Sequence, residues 1–343
     1  MPTCNNPRAA RLKQRHLPGS LFGVLAALFL AITTSGCVVI PLGDLVTGSD
    51  FSEQVIEKGD GFFSGKIALI ELNGVLSSTA GGLFFASPDN SVSALKAKLD
   101  LAADDRGVQG VLLRISSPGG EVTACDNLYH EVQQFRAETG KPVVAYIDSI
   151  GASGGLYAAM GADAVISHPT AIVGSIGVIM QSMDLSRAIA AFGVEMDPIK
   201  SGKMKDLNTP WRSMTKTERL VLQKLVDDMY QRFVDVVDAG RKKLDRAKVL
   251  ELADGRVFSG VEAARVGLVD RTGYIEDAVS EISSRLGKTG NKPALIRYTR
   301  GSPGGANIYT RGSVRPAGEN SLTLRLDGLH SSPGIYYLWK PGL

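Results

Sequence analysis

Two glycine-rich corners carry the residues whose types and spacing could do chemistry. Gly151-Ala152-Ser153-Gly154-Gly155 fits Gly-x-Ser-x-Gly, the pattern that exposes a nucleophilic serine between a strand and a helix. Ser116-Ser117-Pro118-Gly119-Gly120 offers backbone N–H groups that could face an oxyanion with no Cβ in the way. Each corner has an ordinary alternative: a serine helix N-cap for the first, a tight strand-to-helix turn for the second.

A nucleophilic serine needs a base. His168, only 15 residues on and followed by Pro169, and His330, in a loose tail, are the downstream histidines. An α/β-hydrolase order of Ser, acid and His therefore lacks an evident base. A lysine held neutral by desolvation could serve instead. Lowering its pKa by roughly 3 units from about 10.4 takes about 4 kcal/mol of environment. The candidates lie in Lys200-Ser201-Gly202-Lys203-Met204-Lys205-Asp206, which reads equally as a solvated basic loop. Cys125, with His130 five positions on, is the other nucleophile to weigh. A lone cysteine among small and apolar neighbours reads first as a buried small hydrophobe. The four histidines show no paired spacing, and Cys-x-x-Cys, Walker and dinucleotide-binding patterns are missing, so no metal or cofactor is expected.

The elements around these corners follow from periodicity. Strands are expected at 66–72, 111–115 and 143–147, and short ones at 164–166 and 178–180. Helices are expected at 91–103 and 121–139, with a third opening near Ser153. Strands alternating with helices argue for βαβ units and a largely parallel sheet. From Met214 the chain turns mainly helical, opened by the capping box Thr215-x-x-Glu218. Leu222, Leu225, Val226, Met229, Phe233, Val236 and Val237 then form a helical stripe for a core or an oligomer contact.

The chain has 343 residues, 44% hydrophobic and 21% charged, which excludes wholesale disorder and a multi-span membrane protein. Residues 1–36 hold Arg8, Arg11, Lys13 and Arg15 and no acid; the remainder carries 34 basic against 35 acidic residues. A nucleic-acid partner is not expected. Basic residues, the apolar run Leu21–Ile32 and Thr33-Thr34-Ser35-Gly36 before Cys37 read as an export signal. The apolar run is shorter than the roughly 20 residues that a span needs. The small residues resemble a bacterial lipobox with Cys37 as the lipidated residue, although Thr34 stands where leucine is usual. The expected organisation is a signal at 1–36, a tether at 37–64, a domain at 65–287 and a low-complexity tail at 288–343. The tail's apolar end, Ile335-Tyr336-Tyr337-Leu338-Trp339, should pack against something, a groove on the protein itself being one choice.

Five motifs in order resemble the signal peptide peptidase A (protease IV) family in its short, single-unit form. They are Asn73-Gly74 with Ser117-Pro118-Gly119-Gly120; Ala152-Ser153-Gly154-Gly155; Val173-Gly174-Ser175-Ile176-Gly177-Val178; Ile199 to Asp206; and Asp254-Gly255-Arg256-Val257 with Gly267-Leu268-Val269-Asp270. The likeness covers residues 65–285. It implies an α/β fold of the crotonase/Clp-protease-like βαβ superfold with a mainly helical C-terminal part, and a serine–lysine dyad. By motif, Ser153 is the nucleophile, Lys205 the general base, Ser175 the hydroxyl that orients the amine, and Gly120 an oxyanion donor. The Gly154 N–H, after the nucleophile, is a second donor by position. Met204 and Leu207 would flank Lys205 with an apolar wall. The resemblance further implies no cofactor, peptide substrates such as cleaved signal peptides, and a ring-like homo-oligomer in which neighbouring subunits supply Ser153 and Lys205. With the leader, it places a serine endopeptidase outside the cytoplasm on a bacterial membrane, although the family's usual anchor is a transmembrane segment. The rival readings are a non-catalytic lipoprotein scaffold of the same fold and an α/β-hydrolase-type esterase. A crotonase-type acyl-CoA enzyme has no positive sign of a CoA site.

Overall fold

Runs of branched apolar residues, punctuated by Gly and Pro, build the strands beneath both corners. The computed structural model describes residues 51–60, 65–78, 90–288, 292–299 and 335–339. Strand β1 is Ser52–Glu57, β2 Lys66–Asn73, β3 Val108–Ser117, β4 Gly119–Glu121, β5 Val143–Ala152, β6 Ala164–Ser167 and β7 Ile172–Gly174. Then come β8 (Ile179–Met180), β9 (Val257–Ser259), β10 (Arg271–Thr272), β11 (Ala294–Thr299) and β12 (Ile335–Leu338). The main sheet runs β1-β11-β2-β3-β5-β6-β10, with β7 beside the end of β5 and β9 beside β7. From β11 to β10 its pairs are parallel, and β1 closes the edge antiparallel to β11.

Parallel strands need crossovers, and these cover the sheet on both faces. Helices α1 (Ser91–Asp104), α2 (Val122–Thr139) and α3 (Gly154–Ala159) lie on one face, joined there by α5 (Lys216–Gly240). Helix α8 (Ile275–Arg285) covers the other. Strand β3 shows why both faces are apolar. Val111, Leu113 and Ile115 enter the first core with Leu128, Tyr157 and Phe233, whereas Leu112 enters the second with Ile275 and Ile282. Full burial of each such side chain stabilises the fold by about 1.5–3 kcal/mol. The short elements α4 (Ser186–Ala191), α6 (Arg246–Leu252) and α7 (Gly260–Arg265) complete the chain order.

A second sheet, β4-β12-β8, starts from β4 directly after the end of β3. Three strands, in the two sheets together, depart from the expected organisation. Strand β1 falls within the expected tether, and β11 and β12 fall within the expected tail. The polar alternation of Ser52–Glu57 hides an edge strand with one buried face residue, Val55 being exposed and Gln54 buried. The apolar run Ala294–Thr299 is short and flanked by polar, low-complexity sequence, yet it pairs with both β1 and β2. The chain divides into units at Gly48/Ser49; the expected signal and Cys37 lie outside the described residues. Among the described residues no helix is long and apolar enough to cross a membrane.

Candidate active site

Strand β5 ends at Ala152 and helix α3 begins at Gly154, so Ser153 alone makes the corner. Its backbone takes φ 51°, ψ −117°, a conformation that costs a non-glycine residue on the order of 1–3 kcal/mol. The Ser153 N–H donates to the Gly174 carbonyl (2.7 Å), and the Tyr157 N–H donates to the Ser153 carbonyl (3.0 Å). Ser153 occupies the N-cap position, but its hydroxyl makes no capping bond. The strain therefore does not serve a cap; it aims the side chain. Ser153 is 1% exposed.

A second serine stands beside it in the same posture. The parallel register pairs Ala152 with Gly174, so Ser153 and Ser175 follow at the ends of adjacent strands. Ser175 has φ 52° and donates its N–H to the Arg256 carbonyl (2.7 Å). Two neighbouring strands thus end in serines of positive φ, each tied down through its backbone and with no hydroxyl hydrogen bond among the described residues.

The Pro118-Gly119-Gly120 corner closes on the same place. Leu76 uses one edge of β4: its N–H donates to the Gly119 carbonyl (2.9 Å) and its carbonyl accepts from Glu121 N–H (2.9 Å). Strand alternation then turns the Gly120 N–H away from Leu76. A Cβ at Gly120 would lie 1.9 Å from the Leu76 oxygen, so only glycine fits. Gly119 needs glycine for its φ of +102°. The Ser117 hydroxyl fixes the corner by donating to the Gly74 carbonyl (2.7 Å) and accepting from the Gly119 N–H (3.0 Å). A Cβ on Gly154 would sit 3.1 Å from the Gly120 nitrogen, so the two glycine backbones adjoin. Two N–H groups and a strained serine on one spot can stabilise the oxyanion of an acyl transfer.

The lysine lies elsewhere in character. Residues 203–208 are turns that follow the short helix α4, which buries none of its residues. Lys205 is exposed, and its ammonium has no ion pair or hydrogen bond among the described residues. Met204 is 40% exposed, so the apolar wall expected around the amine is not closed within one chain. Lys200 is engaged, paired with Asp206 at 2.6 Å. Asp206 also accepts from Arg212 Nε (3.0 Å) and Nη2 (2.9 Å), and Arg212 Nη1 donates to Glu218 (2.9 Å). Arg212, with Lys200, holds the Asp206 carboxyl below the usual range, and Arg212 holds that of Glu218 down to about 2. Glu218 also accepts from the Thr215 N–H (2.8 Å), completing the capping box that starts α5. The clamp ties the lysine loop to the helix. Sequence reading found the box but not Arg212, whose partners are six residues away on either side.

Other candidates separate from the corner. His168 stacks edge-on against Tyr274 (5.3 Å) and its Nδ1 accepts from the Thr170 N–H (3.2 Å). Among the described residues it has no bond to Ser153, and His330 lies outside them. Cys125 is fully buried under Gly154, and burial pushes its thiol well above the ordinary value, as suits a small hydrophobe. An aromatic pocket was missed. Tyr157, on the helix that Ser153 opens, stacks on Tyr337 (5.0 Å), and Phe233 packs against both at 5.0 and 4.7 Å. In the sequence Tyr337 belongs to an apolar end and Phe233 to a helical stripe, and nothing there brings the two together at Tyr157.

A largely parallel α/β sheet, a serine at a strained strand-to-helix corner and the adjoining Gly120 and Gly154 backbones make the kind of frame that serine hydrolases use. Residues 136–288 match peptidase family S49. A protein named as a signal peptide peptidase in Enterococcus faecium is 31% identical over 261 residues, 76% of this chain and 74% of that one. A protein named as a protease in Methanocaldococcus jannaschii is 40% identical over 199 residues, 58% of this chain and 62% of that one. The chloroplastic serine protease SPPA of Arabidopsis thaliana is 30% identical over 275 residues, 79% of this chain and 40% of that longer one. This chain belongs to peptidase family S49, the signal peptide peptidase A family, whose peptidases are of serine type.

Proposed function

We propose that the chain is a membrane-tethered serine endopeptidase with a Ser153–Lys205 dyad, acting outside the cytoplasm on membrane-associated peptides such as cleaved signal peptides. The observation that carries this reading is the Ser153 corner, strained and without a capping bond, beside the Gly120 and Gly154 N–H groups. Ser153 attacks the peptide carbonyl while neutral Lys205 takes its proton, then returns it to the leaving amine; water resolves the acyl-enzyme. Ser175 accepts from or donates to the amine and fixes its direction. Each oxyanion donor contributes about 10²–10³ in rate.

An exposed lysine is a poor base, so Lys205 must be covered. Phe192, Met196, Ile199 and Trp211, before and after it in the chain, with Leu220 and Leu225 on α5, present apolar surface outward. A neighbouring copy in a ring would bury that surface and bring Lys205 to a serine of the next subunit. Lipidation of Cys37 would supply the tether. Peptide hydrolysis by wild type, Ser153→Ala and Lys205→Ala, with particle mass measured in parallel, tests the reading: both variants should assemble and fail to turn over. Unaltered turnover in Lys205→Ala would overturn the dyad. A scaffold without catalysis would leave Ser153 unlabelled by a phosphonylating probe.

A further inference from the structure

A cavity of about 500 Å³ opens where the last turns of α2 and α5 meet the residues that lead into β6 and β10. Its Asp163 accepts from the N–H of Val143, the first residue of β5, whereas Ser153 follows the last residue of that strand. Ser153 also opens α3, and Met160, just past the other end of α3, lines the cavity. The cavity and the serine corner therefore lie at opposite ends of both β5 and α3. Nothing in the hydrolysis of a peptide at Ser153 uses it.

Four cations line the cavity, Arg136, Arg241, Lys242 and Lys243, against two acids, Asp163 and Asp270. Both acids are taken up by the fold. Asp163 accepts from the Val143 N–H (2.8 Å) and pairs with Arg136; Asp270 accepts from the Val165 N–H (2.8 Å) and from Arg241 Nη1 (3.0 Å). Arg136 Nη1 donates to the Gly161 carbonyl (2.6 Å) and Arg241 Nε to the Gly240 carbonyl (2.8 Å). Both guanidiniums are thus fixed in direction, with donors to spare. Arg136 Nε is buried without a partner, a rare state for a buried donor, and Arg241 Nη2 makes no hydrogen bond among the described residues. Arg241 is 6% exposed, so its charge is held inside the fold. Lys242 and Lys243 are exposed and have no ion pair or hydrogen bond among the described residues.

We propose that this cavity binds a small phosphorylated molecule, its phosphate group held by Arg136, Arg241, Lys242 and Lys243. The charge balance selects the group. Once each acid is matched to its arginine, two ammonium charges stand uncompensated beside two oriented guanidiniums. A carboxylate would answer one of them; a phosphate group brings about −1.5 to −2 at pH 7 and three acceptor oxygens. Guanidinium forks match phosphate oxygens in geometry, and lysine adds point charge. A phosphate fills only part of the volume, and Tyr129, Met160, Ala162 and Val269 line the cavity with apolar surface suited to an organic body. The same group occurs on lipid headgroups. Strand β1, however, enters the main sheet at Ser52, paired with Thr299 at the end of β11 that lies on the Ser153 side. The cavity is at the other end from that entry, which favours a ligand from solution. The proposal is independent of the Ser153–Lys205 reading.

The test is an amine-acetylation footprint of the full chain in phosphatidylcholine nanodiscs, read by mass spectrometry, with calorimetric titration of inorganic phosphate and glycerol phosphate alongside. Either probe should slow acetylation of Lys242 and Lys243 roughly tenfold at saturation and leave Lys224, exposed on α5, unchanged. The double variant Lys242→Met, Lys243→Met should weaken both titrations roughly 10- to 100-fold. Its Tm without phosphate and its peptidase rate should match the wild type, because neither side chain has a partner in the fold. Phosphatidylglycerol nanodiscs without added phosphate separate the sources: unchanged reactivity of both lysines supports a soluble ligand, and protection there overturns it in favour of a headgroup. No protection and no heat at about 10 mM probe, where a site with a Kd near 1 mM would be filled, overturns the proposal, as does equal affinity in the double variant. Peptide hydrolysis that persists through that outcome leaves the Ser153 reading standing.

Discussion

The Ser153 corner and the Lys205 loop are held in opposite ways. The corner is buried and fixed through its backbone: Gly174 holds Ser153, Arg256 holds Ser175, and Leu76 holds the glycines of β4. Each restraint comes from a strand end of this chain, so the strained φ of both serines is maintained without a partner. The loop is made of turns and attached mainly at one place, the Asp206–Arg212–Glu218 clamp, with its apolar side chains facing out. A nucleophile must be preorganised to react, and a general base must be desolvated to be neutral. For the proposed Ser153–Lys205 dyad, one chain fixes the backbone of the serine and leaves the lysine exposed. That asymmetry is what an assembly would complete.

The sharpest way to break the comparison is Ser153→Ala, which should lower kcat roughly 10⁴-fold or more with no loss of Tm. Alanine keeps the Cβ and with it the strain at φ 51°, so Tm should hold; a preserved rate would move the nucleophile elsewhere. Next is Gly120→Ala, whose Cβ would meet the Leu76 oxygen at 1.9 Å. It should cut kcat by about 10²–10³ and also lower Tm, because the same backbone is donor and scaffold. Assay and calorimetry on one preparation would show both.

Arg212→Met tests the loop's attachment. It should lower kcat by roughly tenfold with little change in KM if Lys205 is the base, since Arg212 then acts only through the Asp206 end of its loop. Equal loss in KM would contradict that role. The smallest effect is on pH. The Glu218 carboxyl sits at about 2 in the fold, first through its hydrogen bonds from Arg212, against about 4.3 when unfolded. A lowered folded value gives stability that is complete above the unfolded value and lost as pH falls toward the folded one. Trp211 fluorescence, read in Trp339→Phe, should therefore report loosening of the loop between about pH 4 and 2, and not above. In Glu218→Gln that transition should vanish.

Much of the corner was legible in the chain. Val111–Ile115 and Val143–Ile147 declare strands by composition, and Gly-x-Ser-x-Gly after one of them declares a turn that needs glycine on both sides. The side-by-side placing of Ser153 and Ser175 was implied only by the family resemblance, because in the fold it follows from the β5–β7 register. Strands β1 and β12 escaped for a different reason. Ser52–Glu57 is polar on its outer face, and Ile335–Leu338 has four residues isolated beyond a long polar stretch; each becomes a strand only through the neighbour that receives it. The Lys205 loop read as a solvated basic segment, and within one chain that is how it stands.

The most direct measurement mixes two inactive chains, Ser153→Ala and Lys205→Ala, under conditions where subunits exchange, and follows peptide hydrolysis with particle mass. If neighbouring subunits share the dyad, mixed rings recover roughly a quarter of wild-type activity at equal proportions, since about one interface in four joins an intact serine to an intact lysine. Mixed particles verified by mass that show no recovery would contradict it.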